Sequence, residues 1–478
     1  MKRLHSARVR TITTAYSSWT AACCAIMLAS GCAPKTTAKS PAGHDEAPPP
    51  HLRAPVDLGA TGDRDHALPL PDPRATAEVS LGGMLAYADK HSPVLAVARS
   101  TRSRVEAARV AASPLFPANP EVTVAAGPRF VGAGTGLDVE VALMQQIRLS
   151  GVRGARLDAA DRLGDLTDAE IEQIRWTVHT DVHAEFHRAL VEQERVRLAE
   201  SVVKFQREVL RVVERQISAG ETAPLLLRLA QAEVAQAKQV LVAAKQRVVA
   251  SRIRLAQLAG WPTASPPLPG GKVDVPRDPP TLERLLAVAR KRLPSLRAGT
   301  ARIREAEARV IAADRATWPG PTVGVQYAHE GATPSDGAGN IVMGVVSVPI
   351  PSSQTNQAER ATARADAIVA RAQLSATRRL LTGQIAEARS EVVAAAQRTR
   401  EYGEEILPRI EENLTLLRRS FELGEIDILA LSTGRERFLR IQSDALAAQL
   451  DYFVALANLE RVVGVDLWRD DHQDRETR

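Results

Sequence analysis

Three histidines recur at every fourth position of a segment with helical periodicity: His179, His183 and His187, with Asp181 and Glu185 between them. This spacing places the rings on one face of a helix, where two imidazoles can share a metal ion. Zinc proteases also need a glutamate directly after the first histidine, which this segment lacks. The alternative, which the pattern favours, is that these histidines are polar positions on a wetted or inter-helix surface.

The N-terminus predicts export. Four basic residues precede a short apolar run over 21–29, and small residues lead to Cys32, a pattern that resembles the signal of a bacterial lipoprotein. We therefore predict a signal peptide over 1–31 and acylation of Cys32. The alternative is an ordinary cleaved signal with an incidental cysteine. A membrane-spanning helix is disfavoured because the run is well short of the ~20 residues that a span needs.

The sequence contains no other pattern typical of catalysis. Gly132–Gly136 lies between two strand patterns with no helix start after it, so it is not a phosphate loop. Cys23 and Cys24 fall within the predicted signal, which leaves Cys32 as the single cysteine of the mature chain and excludes an internal disulfide. We expect no enzymatic activity and no cofactor.

The charge of the chain does not indicate a nucleic-acid partner. The formal net charge is +6, but the predicted signal holds four basic and no acidic residues, so +2 remains on the mature chain. Arginine and glutamate are interspersed along the helical segments, as on solvated helix faces. Aromatic residues make up 4% of the chain, too few to favour stacking on bases.

Most of the sequence consists of two copies of one unit. His91–Leu95 aligns with Arg292–Leu296 at an offset of 201, and Ile217–Glu221 aligns with Phe421–Glu425 at an offset of 204. A proline-rich segment without apolar periodicity precedes the first copy and predicts a disordered tether. The predicted organisation is the signal at 1–31, the tether at 32–80, repeat 1 at 81–260, a linker at 261–280, repeat 2 at 281–464 and a polar tail at 465–478.

Each repeat has the pattern of a helix, two strands and two further helices. The predicted helices cover about 81–113, 153–218 and 223–259 in repeat 1 and about 281–316, 357–421 and 427–463 in repeat 2. The middle helix of each repeat, at roughly 65 residues, is ~100 Å long. Charged residues in every turn or two make it water-facing and packed along one stripe. Such helices pack antiparallel as coiled-coil-like ribs and suit a structure that crosses an aqueous gap.

The turns between the two long helices of each repeat are a second set of candidate site residues. Gly220 and Gly424 fit the left-handed residue that ends a helix, and Thr222 and Asp427 fit N-caps of the next helix. These tips lie at the far end of the helices from the strands, where a partner protein could dock. The candidate docking residues are Gly220, Glu221, Gly424, Glu425 and Asp427. The alternative is that these residues form turns and nothing more.

The strands are predicted as two hairpins, at 120–150 and 321–351. From Leu137 to Leu149, over about 13 residues, apolar residues alternate with polar ones, so that one face is apolar and the other carries charges. A soluble two-layer sheet can have this pattern, but a transmembrane barrel strand requires it. Four strands cannot close a barrel, and an open edge in lipid leaves backbone groups unpaired. Membrane-spanning strands would therefore require further copies of the chain.

Three segments together resemble the TolC-type outer membrane efflux protein family. They are Gln146–Gly151, the turns around Gly220 and Gly424, and Phe421–Leu429 followed by Leu456–Gly464; the last is most similar to the cation-efflux (CzcC-like) branch. The resemblance implies a mainly α fold with a small β part: long antiparallel helices and two hairpins contributed to an intersubunit twelve-strand barrel. It also implies a homotrimer in the outer membrane that extends into the periplasm. Its tips would dock a periplasmic adaptor and an inner-membrane pump of the RND type.

The sequence leaves three alternatives to a heavy-metal efflux duct. A drug or type I secretion duct would share the fold. A non-channel, coiled-coil periplasmic scaffold lipoprotein would account for the helices and the lipid but not for the hairpins or the repeat. A metal-binding periplasmic protein or metalloenzyme would rest on the three histidines alone.

Overall fold

The computed structural model describes residues 78–131, 134–148, 150–220, 223–271, 275–333, 337–423 and 425–467 of the 478-residue chain. These residues belong to one unit, Leu70–Arg478. The predicted signal, Cys32, most of the predicted tether and most of the polar tail lie outside the described residues.

The order of elements is the same in both halves of the chain: short helices, a hairpin, a long helix and a returning helix. The helices are α1 (Leu81–His91), α2 (Pro93–Ser100), α3 (Arg102–Ala112), α4 (Val152–Ser218), α5 (Pro224–Ala259), α6 (Leu282–Arg292), α7 (Pro294–Arg315), α8 (Gln357–Arg400), α9 (Leu407–Glu422) and α10 (Ile428–Val463). The strands are β1 (Glu78–Val79), β2 (Glu121–Val131), β3 (Gly134–Gln146), β4 (Leu268–Pro269), β5 (Thr322–Glu330) and β6 (Gly339–Ser347).

The prediction of one continuous first helix in each half is wrong, because a proline divides it. Pro93 begins α2 and Pro294 begins α7, each at the first turn, where the missing N–H costs nothing. The preceding residues, Ser92 and Leu293, are forced out of the helical region, with ψ of 126° and 118°. In the first half a further boundary at Thr101 separates α2 from α3.

The long helix of the first half is confirmed and that of the second half is not continuous. Helix α4 runs for 67 residues without interruption. Its counterpart is split by a π-helical segment, Glu401–Ile406, between α8 and α9. Pro408 follows in the first turn of α9, where its ring would clash with the carbonyl four residues earlier in a regular α-helix. The wider π turn accommodates that proline.

Among the described residues, the two larger hydrophobic clusters of the core lie one in each half, and a smaller one lies between α4 and α5 around Val213. In the first, Val182 and Phe186 of α4 pack with Met84 of α1, Leu95 of α2 and Leu255 of α5. The second has the same composition by element: buried apolar residues of α6, α7, α8 and α10, among them Leu285, Leu296, Ile385, Tyr452 and Leu459. The short helices thus cover the middle of the long ones.

In both halves a glycine ends the returning helix and packs against the break between the short helices; we call this contact the joint. Helix α5 ends at Gly260 and α10 ends at Gly464, both with left-handed φ, at 76° and 84°. A Cβ on Gly260 would overlap the carbonyl oxygen of His91, at the break between α1 and α2. A Cβ on Gly464 would lie 2.6 Å from Cα of Leu293, at the break between α6 and α7. Each returning helix therefore ends directly on the proline break that precedes the hairpin.

The four long strands form one antiparallel sheet in the order β2-β3-β5-β6. Both predicted hairpins are confirmed, and β3 pairs with β5 to join them, with Leu143 opposite Val325. Strand β3 ends at Gln146, three residues before the predicted end. None of the described helices combines the length and the apolar character that crossing a membrane needs.

Candidate functional site

The predicted turn chemistry is present at the described part of each tip. Gly220 follows α4 with φ of 75°, and its N–H donates to the carbonyl of Ile217 at 3.0 Å. Asp427 caps α10, its Oδ1 accepting the N–H of Ala430 at 2.8 Å. The N–H of Glu425 donates to the carbonyl of Ser420 at 2.9 Å. Glu221, Thr222 and Gly424 lie outside the described residues.

The tips also expose leucines that the sequence analysis missed. Leu225 and Leu229 lie in the first turns of α5, and Leu423 and Leu429 flank the second turn; their exposed fractions are 69%, 55%, 68% and 69%. Such side chains cost free energy in water unless a partner covers them. The sequence could have indicated this exposed apolar surface. Leucines within a few residues of a turn glycine lie beyond the buried apolar face of the helix, because that face ends with the last helical turn.

The three predicted histidines lie where α4 meets α10, in a largely buried position. His183 is 2% exposed and its Nδ1 lies 2.8 Å from Oε2 of Glu460, which is fully buried. His187 turns its Nδ1 towards the carbonyl of His183 at 3.0 Å and stacks on Phe453 with ring centroids 4.0 Å apart. His179 Nε2 lies 3.7 Å from Oδ2 of Asp466. Each ring thus has a different partner.

The metal-site hypothesis gains no support from this geometry. Across the part of the chain that the structure describes, no group of three or more His, Cys, Asp and Glu side chains is placed to hold a metal ion. The alternative of polar inter-helix positions is favoured. Sequence analysis did not find Glu460, the partner of His183, because it lies 277 residues further along the chain.

The contact between α4 and α10 is a polar network that joins the two halves. Trp176 Nε1 donates to the carbonyl of Glu460 at 3.1 Å, and Arg461 donates to Thr180 Oγ1 at 3.0 Å and to Asp181. Glu460 Oε1 accepts the N–H of Leu467 at 3.0 Å, which also holds the segment after α10. Buried polar groups satisfied in this way specify one relative position of two helices.

Burial and pairing shift the pKa values in this network in different directions. Burial opposes protonation of His183, but the hydrogen bond and the charge of Glu460 outweigh it and raise the pKa of the imidazole. Burial also raises the pKa of the Glu460 carboxyl. His187 has no acidic partner, so burial and the neighbouring His183 lower its pKa to about 3. The contact with Glu460 therefore favours the protonated form of His183, whereas a pKa of about 3 keeps His187 neutral at neutral pH.

The sheet has one apolar and one charged face, as the strand pattern predicts. By register, one face carries side chains that are all at least 37% exposed: Val122, Val124, Phe130, Leu137, Val141, Leu143, Val325, Tyr327, Val342 and Val346. So large an apolar face without a covering layer marks contact with another protein or with lipid. Strand β6 is apolar on its other face as well, through Ile341, Met343 and Val345.

The opposite face carries four carboxylates and one guanidinium, from Glu121, Asp138, Glu140, Glu330 and Arg129. Arg129 lies 3.2 Å from Glu330 and 3.4 Å from Asp138, and it donates to the carbonyl of Gly331 at 2.8 Å. Within the described residues Glu121 and Glu140 have no ion-pair partner. This face is therefore net negative.

A sheet with one exposed apolar face, joined to water-facing helices of which α4 is about 100 Å long, is typical of the class of outer-membrane channel proteins. The chain belongs to the outer membrane efflux protein family, whose model matches residues 88–261 and 285–465.

Individual relatives agree with this assignment. The cobalt-zinc-cadmium resistance protein CzcC of Cupriavidus metallidurans is 24% identical over 320 residues, which cover 66% of this chain and 75% of that protein. The solved structure of CusC has a TM-score of 0.63 at 14% identity and covers 81% of this chain and 92% of that one. The open state of the MtrE outer membrane channel of Neisseria gonorrhoeae has a TM-score of 0.61 at 18% identity, over 82% and 90% of the two chains.

Proposed function

We propose that this protein is the outer-membrane exit duct of a tripartite efflux pump, a passive homotrimeric channel that carries heavy-metal cations. The observation that carries the proposal is the two-faced sheet. Its apolar face has no covering layer among the described residues, and its ends, β2 and β6, each pair with one neighbour only. Lipid satisfies the apolar face, and further copies of the chain satisfy the edges.

Trimer formation follows from strand number together with the internal duplication. Two repeats supply four strands, and three chains supply the twelve of the barrel that the family resemblance implies. In that barrel β6 of one chain pairs with β2 of the next. The long helices of the three chains then line a tunnel through the periplasm.

The charge of the other face of the sheet supports a cationic substrate. With the apolar face towards lipid, Glu121, Asp138, Glu140, Glu330 and Arg129 face the lumen. The excess of carboxylates attracts cations and repels anions in a narrow aqueous pore. The name of the relative CzcC, a cobalt-zinc-cadmium resistance protein, points to metal ions in particular.

The partners are a periplasmic adaptor and an inner-membrane pump of the RND type, which supply the energy and the choice of substrate. We place the adaptor at the tips, at Gly220, Glu221, Gly424, Glu425 and Asp427. The exposed leucines beside these residues support this placement, because apolar side chains next to turns can be buried by a docked helix. Acylation of Cys32 would add an anchor in the outer membrane lipid.

Two other functions differ from this one in results that can be measured. A drug or type I secretion duct would have the same trimer, and deletion of the gene would sensitise cells to other compounds. A periplasmic scaffold lipoprotein would have no channel.

Extraction of the native protein tests the proposal against a scaffold. We expect the full-length chain to stay in the outer-membrane fraction at high salt, to need detergent for release, and to migrate with the mass of a trimer in that detergent. A variant with Cys32→Ala separates the lipid from the strands: the barrel should still retain it in the membrane. Release of C32A by salt alone would contradict the barrel and favour the scaffold.

A further inference from the structure

A basic groove runs between α7 and α8, away from the tips. It has a volume of about 840 Å³, and four arginines line it: Arg290 of α6, Arg297 and Arg304 of α7, and Arg378 of α8. The buried side chains of Leu296 and Leu381 also line it. The acidic residue of the lining, Asp165 of α4, pairs with Arg162 at 3.3 Å.

These arginines differ from their neighbours on the same helices. Arg302 lies 2.5 Å from Glu170, Arg371 lies 2.6 Å from Glu307, and Arg364 lies 3.1 Å from Asp314. Within the described residues, none of the four arginines in the groove has a carboxylate within 4 Å. Within the described residues, four guanidinium groups thus line one groove without a carboxylate within 4 Å of any of them.

Like charges in one groove raise the local positive potential and so favour an anion. Guanidinium groups bind carboxylate and phosphate oxygens in two-point contacts, with more specificity than a lysine provides. Arg297 and Arg304 are seven residues apart on α7, which separates them by ~10 Å along the helix. A single small anion cannot reach both.

We propose that this groove binds an extended polyanion, a chain with several carboxylate or phosphate groups, along the line from Arg297 to Arg304 with Arg378 on the opposite wall. The ligand would lie along the helices, outside the sheet on which the proposed function rests. The inference does not depend on channel activity.

Calorimetric titration of the full-length, detergent-solubilised oligomer tests the site. The probes are a peptide of about ten glutamates, which at ~3.3 Å per residue spans the arginine spacing, then tripolyphosphate, and inorganic phosphate as the short comparator. The test variant is R297Q/R304Q/R378Q. The control is R302Q/R364Q/R371Q, which removes the same charge from the same two helices but from exposed ion pairs.

We expect saturable binding of at least one multivalent probe, weaker or no binding of inorganic phosphate, and loss of affinity by at least about tenfold in the test variant only, since each charge-assisted contact is strong. Preference for the peptide would assign the natural ligand to carboxylate chains, and preference for tripolyphosphate to phosphate chains. Raising the salt concentration should weaken wild-type binding, which checks the charge dependence without any variant. No saturable binding to the wild-type oligomer, or equal loss in both variants, would overturn the proposal.

Discussion

At the scale of single residues, the most informative group is the His183–Glu460 pair. Both side chains are almost completely buried and both belong to the contact between the two halves of the chain. An ion pair in such a place stabilises little compared with apolar packing, but loss of one partner is costly because the other charge stays buried. We therefore assign the pair a role in fixing α10 against α4.

The pair makes the stability of the protein depend on pH. The pKa of His183 is raised above 6.5, so its contribution is complete below that value and is lost as the pH rises through the folded-state pKa. The raised pKa of Glu460 acts in the same direction. We expect the thermal melting temperature to fall as the pH rises above about 6.5, the ordinary pKa of imidazole.

The variant His183→Asn should melt at a lower temperature at every pH, because breaking a buried pair costs about 3–5 kcal/mol. The double variant H183N/E460Q removes both titrating groups and should also lose most of the pH dependence. Glu460→Gln keeps a hydrogen-bond partner for the ring and should be the milder change. The half-buried His329 of β5, outside the contact between the two halves, is changed to Asn as the control. An unchanged slope of melting temperature against pH in H183N/E460Q would contradict the assignment.

At the scale of elements, the joints at Gly260 and Gly464 hold each returning helix against a proline break. Both the left-handed φ and the close backbone contact exclude a side chain there. Gly151, at the start of α4, has a similar φ of 69° but open space around its Cα. A side chain at Gly151 would therefore cause backbone strain alone, whereas a side chain at Gly260 or Gly464 would cause both backbone strain and a steric clash.

Substitution of these glycines by alanine should distinguish the two effects. Gly151→Ala should cost about 1–2 kcal/mol, the strain of a left-handed alanine. Gly260→Ala should cost at least about 1–3 kcal/mol more, because the methyl group displaces the backbone at His91. Denaturant unfolding of the oligomer measures both. Equal losses would show that the joint at Gly260 is not closely packed in solution.

The tips allow a second prediction about an element. A bulky residue in place of Gly424, such as Trp, should abolish efflux, measured as metal resistance in cells, while the trimer still assembles in the outer membrane. The same substitution at Gly403, an exposed glycine of the π segment, is the control for size. Loss of the trimer itself would mean that Gly424 serves turn formation rather than docking.

Most helices and strands could be predicted from local sequence patterns. Contacts between residues far apart in the sequence could not be predicted. Helix α4 could be placed to within one residue because Gly220 ends it and its apolar stripe is continuous. Pro93, Pro294 and Pro408 were visible in the sequence, but how far each proline breaks a helix depends on neighbouring packing. The pairing of His183 with Glu460 and the convergence of four arginines join distant segments, which no local pattern reports.

At the scale of the whole molecule, the sheet and the long helices present two different surfaces. The sheet has an apolar face and an acidic face, as the proposed barrel wall requires, and the helices supply length with a water-facing surface. Neither surface is complete in one chain, since the sheet has two open edges. Membership of the outer membrane efflux protein family fits this division, and the proposed channel of three chains would complete the sheet.

The most direct test is electrical recording of the purified oligomer in a planar lipid bilayer, with a salt gradient across it. We predict discrete conductance steps and a reversal potential of the sign that cation selectivity gives. In E121Q/E140Q, which removes the two unpaired lumen carboxylates, the steps should persist and the reversal potential should move towards zero. An oligomer that inserts but gives no conductance would contradict the channel, and an unchanged reversal potential in E121Q/E140Q would contradict the placement of the acidic face in the lumen.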